Sequence, residues 1–197
     1  SCLAGALLPL FDSEQPLQDG LDVYVATLQQ QQAMHHAAKL GLSHCSDDDL
    51  RLVLELEQLL QQHEVDMTMF YRRLMPLDPA TIAAHDDAGY ALLGDAFYDE
   101  SARLRGAASF ADWLQRYAAR SRHDPHSAAA RLATMQRANP LYVLRNYLAQ
   151  EAIDLAEAGD TSRITQLLQC LRQPYVEQVG CERFAERRPD WARHKAG

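Results

Sequence analysis

Long apolar runs are missing from this chain of 197 residues. No stretch approaches the roughly twenty apolar residues that a helix needs to cross a bilayer, so no membrane partner is expected. A secretory leader is missing too, because the opening SCLAGALLPLF has no basic segment before its apolar run. The four cysteines, Cys2, Cys45, Cys170 and Cys181, are far apart and share no CxxC spacing. That pattern reads as reduced thiols in a cytoplasmic protein rather than a disulfide framework. The first residue is not Met, which reads as a processed, cloned or cut piece of a longer protein.

Strand signals are equally scarce. Alternating apolar and polar runs bounded by turns do not occur, and β-branched residues are few. No repeat of period 20–50 residues appears. The expected fold class is therefore all-α, an irregular multi-helix bundle. Residues 1–197 are read as a single helical unit with a looser segment at about residues 76–108. That segment holds prolines, glycines and only short apolar runs.

What is present is helical periodicity. LQDGLDVYVATLQQQQAMHHAAKLGL predicts a helix over Leu21–Leu40, with Leu21, Tyr24, Val25, Leu28 and Ala33 on one face and Gly41 as its stop. Ser46 is placed to cap a second helix, with Asp47, Asp48 and Asp49 at its positive end. Leucines 52, 56, 59 and 60 continue it, and Met67, Phe70, Tyr71 and Leu74 extend the pattern to Pro76, as one long helix or a pair. SFADWLQRYAARSR predicts a helix with Phe110, Trp113, Leu114 and Tyr117 on its core face. Another helix is expected to begin at Pro125. The tail is expected to hold a short helix, a turn at Pro189 and an anchoring Trp191.

NPLYVLRNYLAQEAIDLAEAGD predicts a further helix capped by Asn139, with Pro140 at its first position and Gly159 beyond its end. Leu141, Leu144, Leu148 and Leu155 would form its apolar stripe, widened by Ala152 and Ile153. Arg145, Asn146 and Tyr147 interrupt this apolar stretch. Arg is rarely buried unpaired. Arg145 is therefore expected to bond helix-end carbonyls or a carboxylate, with Asn146 half-buried beside it.

The net charge of −8 argues against a general nucleic-acid partner. Its spread is uneven: residues 1–100 hold 4 Lys and Arg against 17 Asp and Glu, whereas residues 101–197 hold 15 against 10. Either the two halves attract each other, or the basic half faces an acidic group or an anionic ligand.

Sites for chemistry are hard to find. None of the nine glycines stands in a GxGxxG or GxxxxGK[ST] loop, so no nucleotide cradle is visible. No GxSxG elbow is present. His35–His36, His44–Cys45, His85–Asp87 and His123–His126 attract notice, but none has the spacing of HExxH or of a paired zinc site. Each reads as solvated, and Asp47–Asp49 read as helix-end charge. No Cys–His pair or carboxylate pair stands out for catalysis. No catalytic, cofactor-binding or metal residue is assigned.

Several segments taken together carry a resemblance. MQRANPLYVLRNYLAQEAIDLAEAGD, LLQCLRQPY and RPDWA, with FADWLQRYAAR and CLAGALLPLFD before them in the same order, resemble the C-terminal region of the selenoprotein O family, also called the YdiU family. The resemblance runs from Leu3 to Trp191. It implies the later C-lobe helices and the C-terminal extension of a kinase-like fold. It also implies an enzyme that binds ATP in a flipped orientation and, with Mg²⁺ or Mn²⁺, transfers AMP to Ser, Thr or Tyr hydroxyls of proteins. In the family the nucleotide lobe, its lysine and the metal and base motif come before the region matched here. No catalytic residue carries over, and no cofactor is expected in this chain itself. The family's C-terminal redox Cys or selenocysteine has no counterpart at RHKAG.

The resemblance implies as partners the upstream kinase-like lobes and the protein substrates of the parent, in a bacterial cytoplasm. The contrasting expectation is a stand-alone helical interaction module. Residues 1–10, cut from their neighbours, are expected to be exposed and to pair two copies of the chain.

Overall fold

A computed structural model of the chain describes residues 2–82 and 87–193, leaving aside the side chains of Asp87 and Ala88. Among these residues nine α-helices follow one another: α1 (Cys2–Leu7), α2 (Gln15–Leu40), α3 (Asp47–Gln62), α4 (Met67–Leu74), α5 (Asp87–Ala91), α6 (Glu100–Arg122), α7 (Ala128–Ala138), α8 (Asn146–Glu157) and α9 (Ser162–Leu171). The all-α class is as expected. Among the described residues the β-like feature is one bridge between Val65 and Phe97.

Local chemistry explains most helix ends. Ser46 and Asp49 close a reciprocal capping box on α3, each side chain bonding the other's backbone N–H. Asp99 caps α6 through Ser101 N (2.9 Å), and Arg120 and Arg122 occupy its last turn. Gly41 ends α2 at φ 72°. The pattern through Pro76 proves to be two helices, broken at residues 63–66. There Glu64 takes φ 47°, a left-handed conformation rare for a side-chain-bearing residue.

Four expected boundaries shift. α2 starts at Gln15, helped by Pro16 in its first turn. α6 starts at Glu100 and so shortens the loose segment. α7 begins after Pro125, with Ser127 as its cap accepting from Ala130 N (3.2 Å). The largest change concerns Asn139, which ends α7 instead of starting α8. Its amide donates to Lys39 O (2.9 Å) and Met135 O (3.1 Å), so the side chain is held by tertiary bonds. Pro140 then follows a helix end, a favoured position. α8 begins only at Asn146.

The main core lies between α3, α4 and α6 and the ends of α2 and α7. Phe70, Tyr90, Phe97 and Phe110 pack as an aromatic group, with Trp113 stacked on Tyr117 at 5.3 Å. Their polar atoms are satisfied: Trp113 Nε1 donates to Leu52 O (2.8 Å) and Tyr117 Oη to Leu40 O (2.9 Å). Arg131 is buried in this core. It donates to Tyr117 Oη (2.7 Å) and to the carbonyls of Leu74 and Met75 at the end of α4. The carbonyl-binding role considered for Arg145 thus falls to Arg131. A second core joins α8, α9 and the tail through Tyr142, Leu148, Leu167, Cys170 and Phe184.

Two expected apolar faces are not buried. Tyr24, Val25 and Leu28 of α2 are exposed, and this helix buries only Ala37 and Leu40. On α8, Leu148 and Ala152 are buried but Ile153 faces solvent, and Leu144, which falls before the helix, is exposed too. Leu3 and Leu10 are also exposed, as expected for residues 1–10.

Candidate functional site

The densest polar junction forms where the two cores meet. Asp66 ends the turn before α4 in an extended conformation and caps that helix through Met69 N (3.1 Å). Its own N–H donates to Ala96 O (2.8 Å). Arg145, just before α8, sends two N–H groups onto the same carboxylate, at 2.5 and 3.1 Å. Tyr98 donates its hydroxyl to Asp66 Oδ2 (2.9 Å). The carboxylate is buried, at 2 % side-chain exposure, against 13 % for Arg145. Burial, then the neighbouring Asp66 charge and hydrogen bond, push the Tyr98 phenol above its ordinary pKa.

The C-terminal tail closes over this junction. Arg188 stacks on the Tyr98 ring at 4.8 Å. Arg187 donates to Phe97 O and Arg193 pairs with Glu64. Trp191, expected as an anchor, meets Tyr147 edge-on at 6.0 Å but stays exposed.

Two cavities flank the Tyr98–Arg188 wall. The larger, about 930 Å³, mixes Arg103, Arg187 and Arg188 with Asp95, Glu100, Glu186 and Asp190. The smaller, about 240 Å³, is lined by Arg145, Asn146, Tyr147, Gln150, Arg188 and Arg193, besides Tyr98 and Ala192. The polar cluster singled out in the sequence therefore faces a cavity. Asn146, expected to be half-buried, is exposed there.

The charge asymmetry resolves in part into internal pairing. Asp49–Arg120, Glu55–Arg116, Glu64–Arg193 and Asp66–Arg145 each join an acid of the first half to an arginine of the second. Burial alone would raise the Asp49 carboxyl, but bonds from Ser46 and Arg120 overcome it and hold it below the ordinary carboxylate range. Asp124 behaves likewise: burial is outweighed by bonds from Ser43, His126 and Arg120.

The histidine groups lie apart from this junction. His35 is exposed on α2. His123 bonds Ala119 O (2.7 Å), and His126 bonds Gly41 O (3.2 Å) and faces Asp124 (3.6 Å). His44 bonds the Ser43 hydroxyl (3.0 Å). His85 and Asp86 lie outside the described residues, as does the side chain of Asp87. Among the described residues no three His, Cys, Asp or Glu side chains come together as a metal site would need. Sequence reasoning did not single out Arg188, Tyr98 or Asp66. Their contacts with one another join positions far apart along the chain, although the Asp66 cap on Met69 N is local.

Comparisons with known proteins bear on the whole chain. The model of the family described as "Protein adenylyltransferase SelO" matches residues 1–172. Curated relatives described as "Protein nucleotidyltransferase YdiU" are similar over 195 residues, 99 % of this chain: 49 % identical in Xanthomonas axonopodis pv. citri (strain 306) and 51 % in Xanthomonas euvesicatoria pv. vesicatoria (strain 85-10). A third, from Xanthomonas oryzae pv. oryzae (strain MAFF 311018), is 48 % identical. The chain spans 36 % of the length of each of these relatives.

Proposed function

Because the chain belongs to the protein adenylyltransferase SelO family, we propose that it is the C-terminal helical region of a bacterial, cytoplasmic enzyme that transfers AMP from ATP to Ser, Thr or Tyr hydroxyls of proteins. In that reaction the hydroxyl oxygen attacks the α-phosphorus, the bond to the β-phosphate oxygen breaks, and pyrophosphate leaves. The hydroxyl proton passes to a base. Mg²⁺ or Mn²⁺ would supply charge neutralisation on the phosphates.

The residues described here do not suit Mg·ATP. The buried carboxylates Asp49 and Asp66 already accept from arginines, hydroxyls and backbone N–H groups, and the sequence has no phosphate-cradling loop. No step of the transfer is therefore assigned to this chain. Its part is mechanical. The Asp66–Arg145 pair, the Arg72 bonds to Asn139 O and Tyr175 O, and Arg187 on Phe97 O tie the two cores into one support. The exposed apolar face of α1 and α2 is the surface on which the kinase-like remainder of the protein would rest.

The family match over residues 1–172 carries this reading. ATP labelled on its α-phosphate provides the test. The 197-residue chain should transfer no label to protein, and the same chain joined to the rest of a relative's sequence should transfer it. Label transfer by the chain alone would overturn the assignment of chemistry to the remainder. The competing reading, a stand-alone module with a basic face, loses support because Arg116, Arg120, Arg145 and Arg193 are spent on internal ion pairs.

A further inference from the structure

We propose that the cavity of about 240 Å³ between the start of α8 and the C-terminal tail binds a phosphoryl oxyanion. Three arginines line it: Arg145, Arg188 and Arg193. The Nε–H groups of Arg145 and Arg188 are both buried and have no acceptor among the described residues. Buried donors are seldom left unmade, and here two of them belong to side chains bordering one cavity. Asn146, Gln150 and Tyr147 add neutral donors to the same lining. No side chain caps α8, whose first two residues, Asn146 and Tyr147, form part of the wall.

The charge balance also favours an anion. None of the described lining residues is acidic. Arg145 and Arg193 are each offset by a carboxylate behind the lining, Asp66 and Glu64, and Asp99 and Asp190 lie near enough to Arg193 to act on its charge. Arg188 has no carboxylate partner among the described residues; it has the Tyr98 ring. Arg188 therefore brings to the boundary between the two cavities a charge with no direct ion pair among the described residues, with Glu186 and Asp190 on the side of the larger cavity. Donors on so many side chains suit a phosphoryl group, with its several acceptor oxygens, better than a carboxylate with two. The site does not depend on where AMP transfer occurs.

Free phosphate and the phosphate of a nucleotide share this chemistry, so both serve as probes. The ¹⁵N-labelled chain is titrated with inorganic phosphate, and separately with AMP, at constant ionic strength. Saturable shifts are expected at the Asn146 and Tyr147 amides and at Arg188 Nε–H. Arg188→Gln should weaken binding by about tenfold or more, as loss of a charge-assisted bond does. Asn146→Asp is a second variant that keeps the fold, since an acid in the first helical turn is favoured. It should nevertheless abolish binding by placing negative charge in the lining. Tighter binding of AMP assigns the cavity to a nucleotide phosphate, and equal or weaker binding assigns it to free phosphate. Absence of saturation with both probes, or unchanged binding in both variants, would overturn the proposal.

Discussion

Arg145 reaches back 79 residues to close a two-pronged ion pair on Asp66, with contacts of 2.5 and 3.1 Å. The pair joins the entry of α8 to the cap of α4, and so couples the second core to the first. Removing one partner of a buried pair leaves an uncompensated charge, which costs about 3–5 kcal/mol. Arg145→Ala is therefore expected to lower the melting temperature by about 6–20 °C for a chain of this size. Calorimetry measures this directly, and an unchanged melting temperature would mean that the pair adds nothing to the stability of the fold.

Acid sensitivity should trace to Asp49 and Asp124. Both carboxyls are held below their ordinary pKa in the folded state. A depressed carboxyl stabilises the fold above its unfolded value, near pH 4, and loses that contribution as pH falls through the lower folded value. Stability should therefore decline as pH drops below about 4–5. In Asp49→Asn the slope of stability against pH over that window should be shallower, although the variant is less stable at neutral pH. Urea melts at a series of pH values would show it; an identical slope would mean that Asp49 gains no net bonding on folding.

The sequence disclosed local chemistry better than partners. Ser46 with three aspartates announced the α3 cap because the capping box is closed within four residues. Phe110, Trp113, Leu114 and Tyr117 were legible as core because their spacing fixes one helix face. Asn139 misled, since its side chain satisfies Lys39 O, a bond 100 residues away that no local rule contains. The α2 stripe was legible as a helix but not as exposed, because periodicity reports a face and not what covers it. For Arg145 the sequence left helix-end carbonyls or a carboxylate as partners, while choosing Asp66 needed the approach of the α4 cap to the start of α8. Arg188 opens RPDWA, one of the segments that carry the family resemblance, but nothing local signals its position over Tyr98, which follows from how the tail packs.

Gly41 is expected to tolerate no side chain. It has φ 72°, and a Cβ there would come within 2.5 Å of Arg131 Cγ and 2.9 Å of Met135 Cγ. Arg131 cannot withdraw without losing its bonds to Tyr117 and to the end of α4. Gly41→Ala should therefore cost more than the about 1 kcal/mol of left-handed strain alone. Gly159, also at positive φ but with open space around it, provides the control. Gly159→Ala should cost only the strain, and equal losses at both sites would refute the packing argument.

Thiol reactivity should separate three of the four cysteines. Burial, and then Cys181 beside it, push the Cys170 thiol up to about 12, so almost no thiolate forms near neutrality. Burial and then Asp49 raise Cys45. Cys2 is exposed. With a disulfide reagent at pH 8, Cys2 should be modified first and Cys45 more slowly, while Cys170 should wait for unfolding. Peptide mapping by mass spectrometry reads the order. Early modification of Cys170 would mean that the second core opens readily.

The exposed face of α1 and α2 should be sticky. Leu3 on α1, Leu10 and Phe11 in the segment after it, and Tyr24 and Leu28 on α2 all face solvent, and exposed apolar side chains in such number seek cover. In the proposed enzyme that cover is the kinase-like remainder; in the isolated chain it is a second copy. Sedimentation should therefore show concentration-dependent dimers of the chain. Tyr24 and Leu28, at i and i+4, share one face of α2, and Tyr24→Lys with Leu28→Lys should return the chain to monomer. Neither position is buried, so the double variant should keep its melting temperature. A chain that stays monomeric at high concentration would leave this face without the role assigned to it.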